Sequence, residues 1–317
     1  MATDVRSGRR DLAGAGGLVL GMAVDALLAD PARGHPVAWF GRAASRLEAG
    51  LWRPDIRAGV LHTATCVGVV VGLAALMERV VPRGRIAVMA AGTWVAVGAT
   101  SLGREARAIG AQIRDGDLPA ARAALPALCG RDPRALDDVG VLRGVLESVA
   151  ENTSDAVVGP LVYGALAGLP GLLGYRAVNT LDAMIGHRSE RYQAFGAAAA
   201  RLDDVANWVP ARLTAALTVV LAPLVGGRPG QAWRTWLRDA DAHPSPNAGR
   251  PEAAFAGALG VRLGGTISYP YGVQDRRWLG DGRTPTCADV EAAVRLSRLV
   301  GLAAVLLAAL TRGGWRR

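Results

Sequence analysis

Residues 58–77 read AGVLHTATCVGVVVGLAALM, a run without one Asp, Glu, Arg or Lys, closed by Arg57 on one side and Glu78 on the other. A helix of that length matches the hydrocarbon thickness of a bilayer. Two more charge-free runs follow: Ile86–Gly103, between Arg85 and Arg104, and Ala156–Tyr175. Leu12–Val24, Leu213–Gly227 and Leu299–Thr311 are shorter and reach spanning length by taking in a flanking charge. One such run could be a buried helix of a soluble core; six in one chain could not easily be. The fold class that follows is all-α: one polytopic integral membrane domain over 1–317, with about five or six membrane-embedded helical segments and helical polar loops. The polar segments 30–57, 104–155, 176–212 and 228–295 are expected to build the active site.

Ala156–Tyr175 differs from the other runs. Val158-Gly-Pro-Leu161 and Gly168-Leu-Pro-Gly171 place helix breakers inside it. Irregular backbone at membrane depth survives only when buried in protein or lining a wet cavity. The segment is therefore expected to be broken or re-entrant, with a kinked spanning helix as the alternative. A re-entrant turn would keep the polar motifs on either side of it facing one compartment.

Arginines set the orientation. The loop 30–57 carries Arg33, Arg42, Arg46, Arg53 and Arg57; the loop 104–155 carries Arg104, Arg107, Arg114, Arg122, Arg131, Arg134 and Arg143. The opposite side receives Arg79, Arg83 and Arg85, with Arg6, Arg9 and Arg10 of the N-terminal region. The excess places the two long loops in the cytoplasm. Asp25 and Asp30 follow the first apolar run without a small-x-small cleavage pattern, so that run reads as an uncleaved membrane segment.

Composition removes several function classes. With 51% hydrophobic and 20% charged residues over 317 positions, the chain is not disordered. All 36 basic residues are arginine. A Schiff-base lysine and a lysine-ended phosphate loop are thereby excluded. The formal charge of +9 is spread through nearly every polar segment, and aromatics are only 5%, so nucleic acid is not the expected partner. Cys66, Cys129 and Cys287 are too scattered for a disulfide framework or a zinc site.

Two stretches carry chemistry. Arg143, Glu147, Glu151 and Asp155 recur every four residues, one polar stripe on a helix that Ser148 and Asn152 widen. Three carboxylates running into an apolar segment are costly without a cation; ordinary pairing of Arg143 with Glu147 on a solvated face is the plainer alternative. Asn179 to Arg212 is denser. Asp203 and Asn207 share a helix face, and Asp204 reaches Asn207 from three positions back. Oxygen donors arranged this way suit Mg²⁺, which takes one or two carboxylates and leaves room for water and phosphate. Arg188 and Arg191 could grip phosphate in forked geometry. His243-Pro-Ser-Pro-Asn247 followed by Glu252, and His35-Pro36 after Asp30-Pro31, are rigid turns that present polar side chains; Ser245 could equally serve as a cap for the helix near Pro251.

These motifs, in order, resemble the adenosylcobinamide-phosphate synthase family of cobalamin-biosynthesis integral membrane proteins (CobD/CbiB type). The resemblance covers almost the whole chain. It runs from Asp25-x4-Asp30-Pro31 and His35-Pro36-Val37 through Gly130-Arg131-Asp132 and Glu147-Ser148-x-x-Glu151-Asn152-Thr153-x-Asp155. Its densest part is Asn179-Thr180-Leu181-Asp182-x-Met184-x-Gly186 with Arg201-x-Asp203-Asp204-Val205-Ala206-Asn207-x-x-Pro210-Ala211-Arg212; Ser245-Pro246-Asn247 and Glu252-Ala253 complete it. The family often has Tyr-Lys and a later Lys-Tyr where this chain has His187-Arg188 and Arg191-Tyr192. A neutral lysine base is therefore not expected there, whereas phosphate binding survives the change to arginine.

The resemblance implies a multi-pass ligase of the bacterial inner membrane with a cytoplasmic active site. It would join adenosylcobyric acid to (R)-1-aminopropan-2-ol O-phosphate, or to threonine phosphate, using ATP and Mg²⁺. Its partners would be those substrates, the lipid bilayer and other membrane-bound cobalamin-assembly enzymes. On this reading Mg²⁺ is held among Glu151, Asp155, Asp182, Asp203 and Asp204. Catalytic roles fall to Glu147, Glu151, Asn152, Asp155, Asp182 and His187. Substrate contacts fall to Asp30, His35, Asn179, Arg188, Arg191, Tyr192, Asn207, Arg212, His243, Ser245, Asn247 and Glu252. Two other classes stay open: a Mg²⁺-dependent membrane transferase acting on a diphosphate without ATP, and a non-catalytic corrinoid-binding membrane protein.

Overall fold

The structure, a computed structural model, describes residues 2–31, 34–134, 136–187, 189–269 and 272–314. It is almost wholly helical: α1 (Ala2–Leu28), α2 (Pro36–Leu51), α3 (Ile56–Val80), α4 (Arg85–Ala96), α5 (Ala99–Arg114), α6 (Leu118–Ala124), α7 (Asp138–Thr153), α8 (Gly159–Leu181), α9 (Ala197–Ala206), α10 (Trp208–Leu221), α11 (Pro229–Asp239), α12 (Gly249–Leu259) and α13 (Cys287–Gly314). One antiparallel hairpin, β1 (Leu263–Tyr269) with β2 (Gly272–Leu279), separates α12 from α13. The region 228–295, rich in Pro and Gly and expected to be largely loop, therefore holds α11, α12 and a strand pair.

Among the described residues five stretches are long and apolar enough to cross a membrane: Ile56–Val80, Pro82–Arg114, Asp138–Gly186, Trp208–Val225 and Cys287–Gly314, with Leu12–Leu28 as a shorter apolar helix. Burial argues the same way. Only 22% of the apolar window of α3 is buried, and Leu61, Val69, Leu73 and Leu76 are each more than half exposed. On α13 Leu302, Leu306 and Leu310 are likewise exposed. A soluble protein does not leave such faces to water; in a bilayer they meet hydrocarbon. The chain is an all-α polytopic membrane protein.

Contacts divide the chain into two compact units: residues 1–98, 159–207 and 304–317, and residues 99–158 with 208–303. Three of the crossings coincide with breaks in helical geometry. Ile86–Gly103, expected as one span, is interrupted at Val97, whose extended backbone (φ −94, ψ 135) closes α4. A π-helical turn, Ser154–Val158, ends α7, and Asn207 separates α9 from α10.

In the first unit the broken segment is a helical hairpin. Gly168 (φ 69, ψ −153) lies in a backbone region open essentially to glycine alone. The arms on either side of it double back on each other. A Cβ at Gly159 would meet the Tyr175 ring, and one at Gly171 would fall 2.5 Å from the Tyr163 carbonyl oxygen. The Tyr163 and Tyr175 rings stack with centroids 5.1 Å apart. The two arms are therefore antiparallel, and the segment is broken at Gly168 and is not a kinked span. Its tip is capped by charge. Glu78 accepts a hydrogen bond from the Leu169 N–H (3.1 Å), and Arg312 donates to the carbonyls of Gly164 (3.0 Å) and Ala165 (3.2 Å). The anion meets the N-terminus of the second arm and the cation the C-terminus of the first, as the two helix dipoles require.

The polar loops are helical where caps announce them. Asp117 accepts from the Ala120 N–H at the start of α6, with Pro119 in the first turn, and Asp137 accepts from the Gly140 N–H at the start of α7.

Candidate active site

The first unit brings the Asn179–Asn207 motifs together. The second arm of the hairpin runs through Asn179 into a π-helical turn, Asp182–Gly186. A Cβ at Gly186 would meet Oδ1 of Asp182, so a larger residue there would displace that carboxylate. Asp203, on α9, is buried at 9% exposure. Its Oδ2 accepts from Asn207 Nδ2 (2.9 Å) and its Oδ1 from Asn179 Nδ2 (3.5 Å). Asn207 Oδ1 in turn accepts from the Tyr175 hydroxyl (2.6 Å), which fixes the amide so that its NH₂ faces Asp203. Burial raises the Asp203 pKa, the Asp182 charge raises it further, the two amides oppose the shift, and Asp204 adds a smaller upward push. Asp204 itself is exposed. The two side-chain donors to Asp203 are neutral amides, which orient its carboxylate without neutralising it.

Among the described residues no three His, Cys, Asp or Glu side chains converge as a metal-holding set. The described residues thus form no all-protein cage for a resident cation. Mg²⁺ carried in with phosphate needs none, since it is usually held by one or two carboxylates plus phosphate oxygens and water. Asp203, which feels the charge of Asp182, is a carboxylate of that kind.

The same unit places the remaining motifs around α2. His35 caps α2, its Nδ1 accepting from the Val37 N–H (3.2 Å), and its Nε2 lies 3.4 Å from Asp30. Arg191 and Tyr192 both reach one buried carboxylate, Glu48, at 2.9 Å. Arg191 also stacks on Trp52, 4.6 Å from the ring centroid. His187 is exposed, edge-on to the Tyr192 ring. Arg188 lies outside the described residues.

The second unit gathers the Glu147 stripe and the His243 turn. Glu147, buried at 3% exposure, is not paired with Arg143. It forms a buried ion pair with Arg131 and accepts from the Gly264 N–H at the start of β1 (2.7 Å). Arg143 instead lies over the Trp278 ring. Ser148 donates to the Leu128 carbonyl (2.7 Å), and Asn152 donates back to the Ser148 carbonyl (2.9 Å). Glu151 follows on α7, and Asp155 lies in the π-helical turn.

The His243 turn is locked by its own backbone. His243 Nδ1 accepts from the Ser245 N–H (3.0 Å), and Ser245 Oγ accepts from the N–H groups of Asn247 and Ala248 just before α12. Arg276 of β2 lies 2.7 Å from His243 Nε2, and Glu252 of α12 lies 3.6 Å from it. Burial lowers the His243 pKa to about 4, with Arg276 helping, so the ring is neutral. Burial raises the pKa of Glu252, the Glu151 charge adds to it, and Arg131 and Arg276 oppose it. Arg212 stacks on Trp208 and reaches Asn247 Oδ1 (3.4 Å).

Residue patterns alone did not mark Glu48, Arg131, Tyr175 or Arg276. Arg131 lay in a quoted motif, but no periodicity links it to Glu147 sixteen positions on. Arg276 sits in a strand of a region read as loop. Glu48 faces the interior of an amphipathic helix, where the only signal is a carboxylate on its inner side.

The chain is similar to known proteins over most of its length. The chain matches the profile of the family described as CobD/Cbib protein over residues 18–297. It is 54% identical over 293 residues to the cobalamin biosynthesis protein CobD of Mycobacterium tuberculosis, covering 92% of this chain and 94% of that one. It is 43% identical to the protein of the same name from Rhodobacter capsulatus (86% and 90% covered) and 43% identical to that from Geobacter metallireducens (94% and 98%). No solved structure matches it. With a profile spanning most of its length and relatives this close, the chain belongs to the CobD/CbiB family.

Proposed function

We propose that this protein is an ATP-dependent amide ligase of cobalamin biosynthesis. It joins a carboxylate of adenosylcobyric acid to the amine of (R)-1-aminopropan-2-ol O-phosphate, in the bacterial inner membrane and on the cytoplasmic side. Family membership supports the pathway. The observation that carries the chemistry is the Asp182–Asp203 pair, a buried carboxylate held by neutral amides beside a second negative charge.

Asp182 and Asp203 would hold Mg²⁺ together with the nucleotide; the ion would neutralise phosphate charge. Asn179, Asn207 and Tyr175 orient the Asp203 carboxylate. A carboxylate is a poor acyl donor until its oxygen takes the terminal phosphoryl group of ATP. The amine nitrogen then forms the C–N bond, phosphate leaves, and the amine proton passes to a carboxylate or to His187, which is exposed. Arg188, Arg191 and Arg212 bind phosphate groups of the substrates. Glu147 holds Arg131 and the start of β1 in place, and His243, neutral, serves as a hydrogen-bonding group.

The test is mass spectrometry on the detergent-purified protein with adenosylcobyric acid, aminopropanol phosphate, ATP and Mg²⁺. The amide product is expected only when ATP is present. Product without ATP would favour a transferase. Bound corrinoid without product, from folded protein, would favour a binding role.

A further inference from the structure

Three apolar runs have an end beside one cavity of the second unit. Arg107 lies four positions beyond the end of Ile86–Gly103. Leu224, Val225 and Gly226 close the run Leu213–Gly227. Arg298 directly precedes Leu299–Thr311. These residues, with Glu291, Ala292 and Arg295, line an open cavity of about 550 Å³. That volume is within the range of small-molecule sites. Trp208–Val225, the candidate span that lies wholly in this unit, ends at the cavity, and the end of a span lies at the depth of lipid headgroups.

The lining is electrostatically unbalanced. Arg107 is answered by Glu291, Nε to Oε2 at 2.8 Å. Arg295 and Arg298, three positions apart on α13, have no hydrogen bond or ion pair among the described residues. Three guanidinium groups thus meet one carboxylate, leaving two positive charges around a concave surface. Guanidinium forks match phosphate oxygens in geometry as well as charge. None of these residues belongs to either cluster of the candidate active site.

We propose that this cavity binds one phosphate-bearing anion at headgroup depth, through Arg295 and Arg298, with Arg107 held ready by Glu291. The ligand is either the phosphate of an anionic membrane lipid or a water-soluble phosphate. Arginines that merely anchor a helix meet whatever lipid passes by; a cavity predicts a saturable site for a single ligand.

Native mass spectrometry of the full-length protein, titrated in detergent with phosphatidylglycerol or phosphatidylcholine, tests this. One phosphatidylglycerol is expected to bind saturably, and Arg295→Gln with Arg298→Gln should weaken it roughly tenfold or more. Arg42→Gln with Arg46→Gln, on α2, should leave it unchanged. A parallel titration with inorganic pyrophosphate separates the sources. Displacement of the lipid by pyrophosphate marks a soluble ligand; binding of lipid alone marks a headgroup. If the double variant does not fold, Leu224→Glu, at an exposed rim position, supplies the same test by placing a carboxylate in the cavity. Equal, unsaturable lipid adducts in the wild type and in a folded cavity variant would overturn the proposal.

Discussion

Glu147 and Asp203 are both buried carboxylates from acid-rich motifs, yet their surroundings differ in kind. Glu147 is neutralised by Arg131 and takes a backbone N–H from β1. Asp203 takes two side-chain amides and feels the charge of Asp182. A carboxylate already paired with a guanidinium has little left to offer a metal ion, and removing it strands a buried cation. A carboxylate held by amides is oriented without being neutralised. The first arrangement neutralises its carboxylate; the second, in the proposed function, leaves one for a cation.

The comparison breaks most easily at Glu147. Glu147→Gln should destabilise the protein by roughly 3–5 kcal/mol, because Arg131 is left buried without its counter-ion. Thermal unfolding in detergent measures this. Arg131→Met added to Glu147→Gln should recover much of the loss, since no uncompensated charge remains. A single variant as stable as the wild type would mean that water reaches Arg131 and that the pair does not hold the fold.

Next in size is the His243 turn of the same unit. Its folded pKa, lowered to about 4, lies below the ordinary 6.5. The unfolded chain therefore takes up a proton first as the pH drops. The stability that the neutral ring provides is present above pH 6.5 and is lost as the pH falls toward 4. The difference is worth about 3 kcal/mol. Unfolding midpoints across that window should fall in the wild type, and His243→Gln should remove this part of the slope.

At Asp203 the prediction separates function from stability. Asp203→Asn keeps shape and should fold, but at limiting Mg²⁺ turnover should drop by roughly 100-fold. The pH sign is opposite to that of an ordinary paired aspartate. Because its folded pKa is raised, ionisation opposes folding, so without Mg²⁺ stability should fall as pH climbs from the usual carboxylate range toward neutrality. Mg²⁺ with nucleotide should restore it in the wild type and not in Asp203→Asn. Near-normal turnover at limiting Mg²⁺ in both Asp203→Asn and Asp182→Asn would remove the metal assignment.

Much of this contrast could be read in the sequence, and part could not. Charge-free runs located the membrane segments because hydrocarbon tolerates little else. The four-residue spacing of Asp203 and Asn207 gave their hydrogen bond, because a helix fixes which side chains share a face. The partners of Glu147 were invisible, since Arg131 comes from a loop and the Gly264 N–H from a strand. Helical periodicity offered only Arg143, which the fold turns toward Trp278. Val97 looked like mid-helix because an apolar residue carries no mark of where a span is broken.

The smallest predicted effect concerns the element whose form the sequence left open. Gly168 and Pro170 fit either a kinked span or a turn, and the choice rests on what meets the exposed helix ends. Gly168→Ala should cost about 1–3 kcal/mol, because its backbone region excludes a side chain. A Cβ there would also fall 2.8 Å from Oε1 of Glu78 and 3.0 Å from Arg312, the two groups that cap the arms. Arg312→Gln should cost less, since an amide still donates to the Gly164 and Ala165 carbonyls but brings no charge to the dipole. A kinked spanning helix predicts the reverse order: a mid-span Gly→Ala change tolerated or stabilising, and a loss confined to Arg312. Unfolding curves of the two variants side by side therefore decide whether the arms are joined by a turn or by a bend.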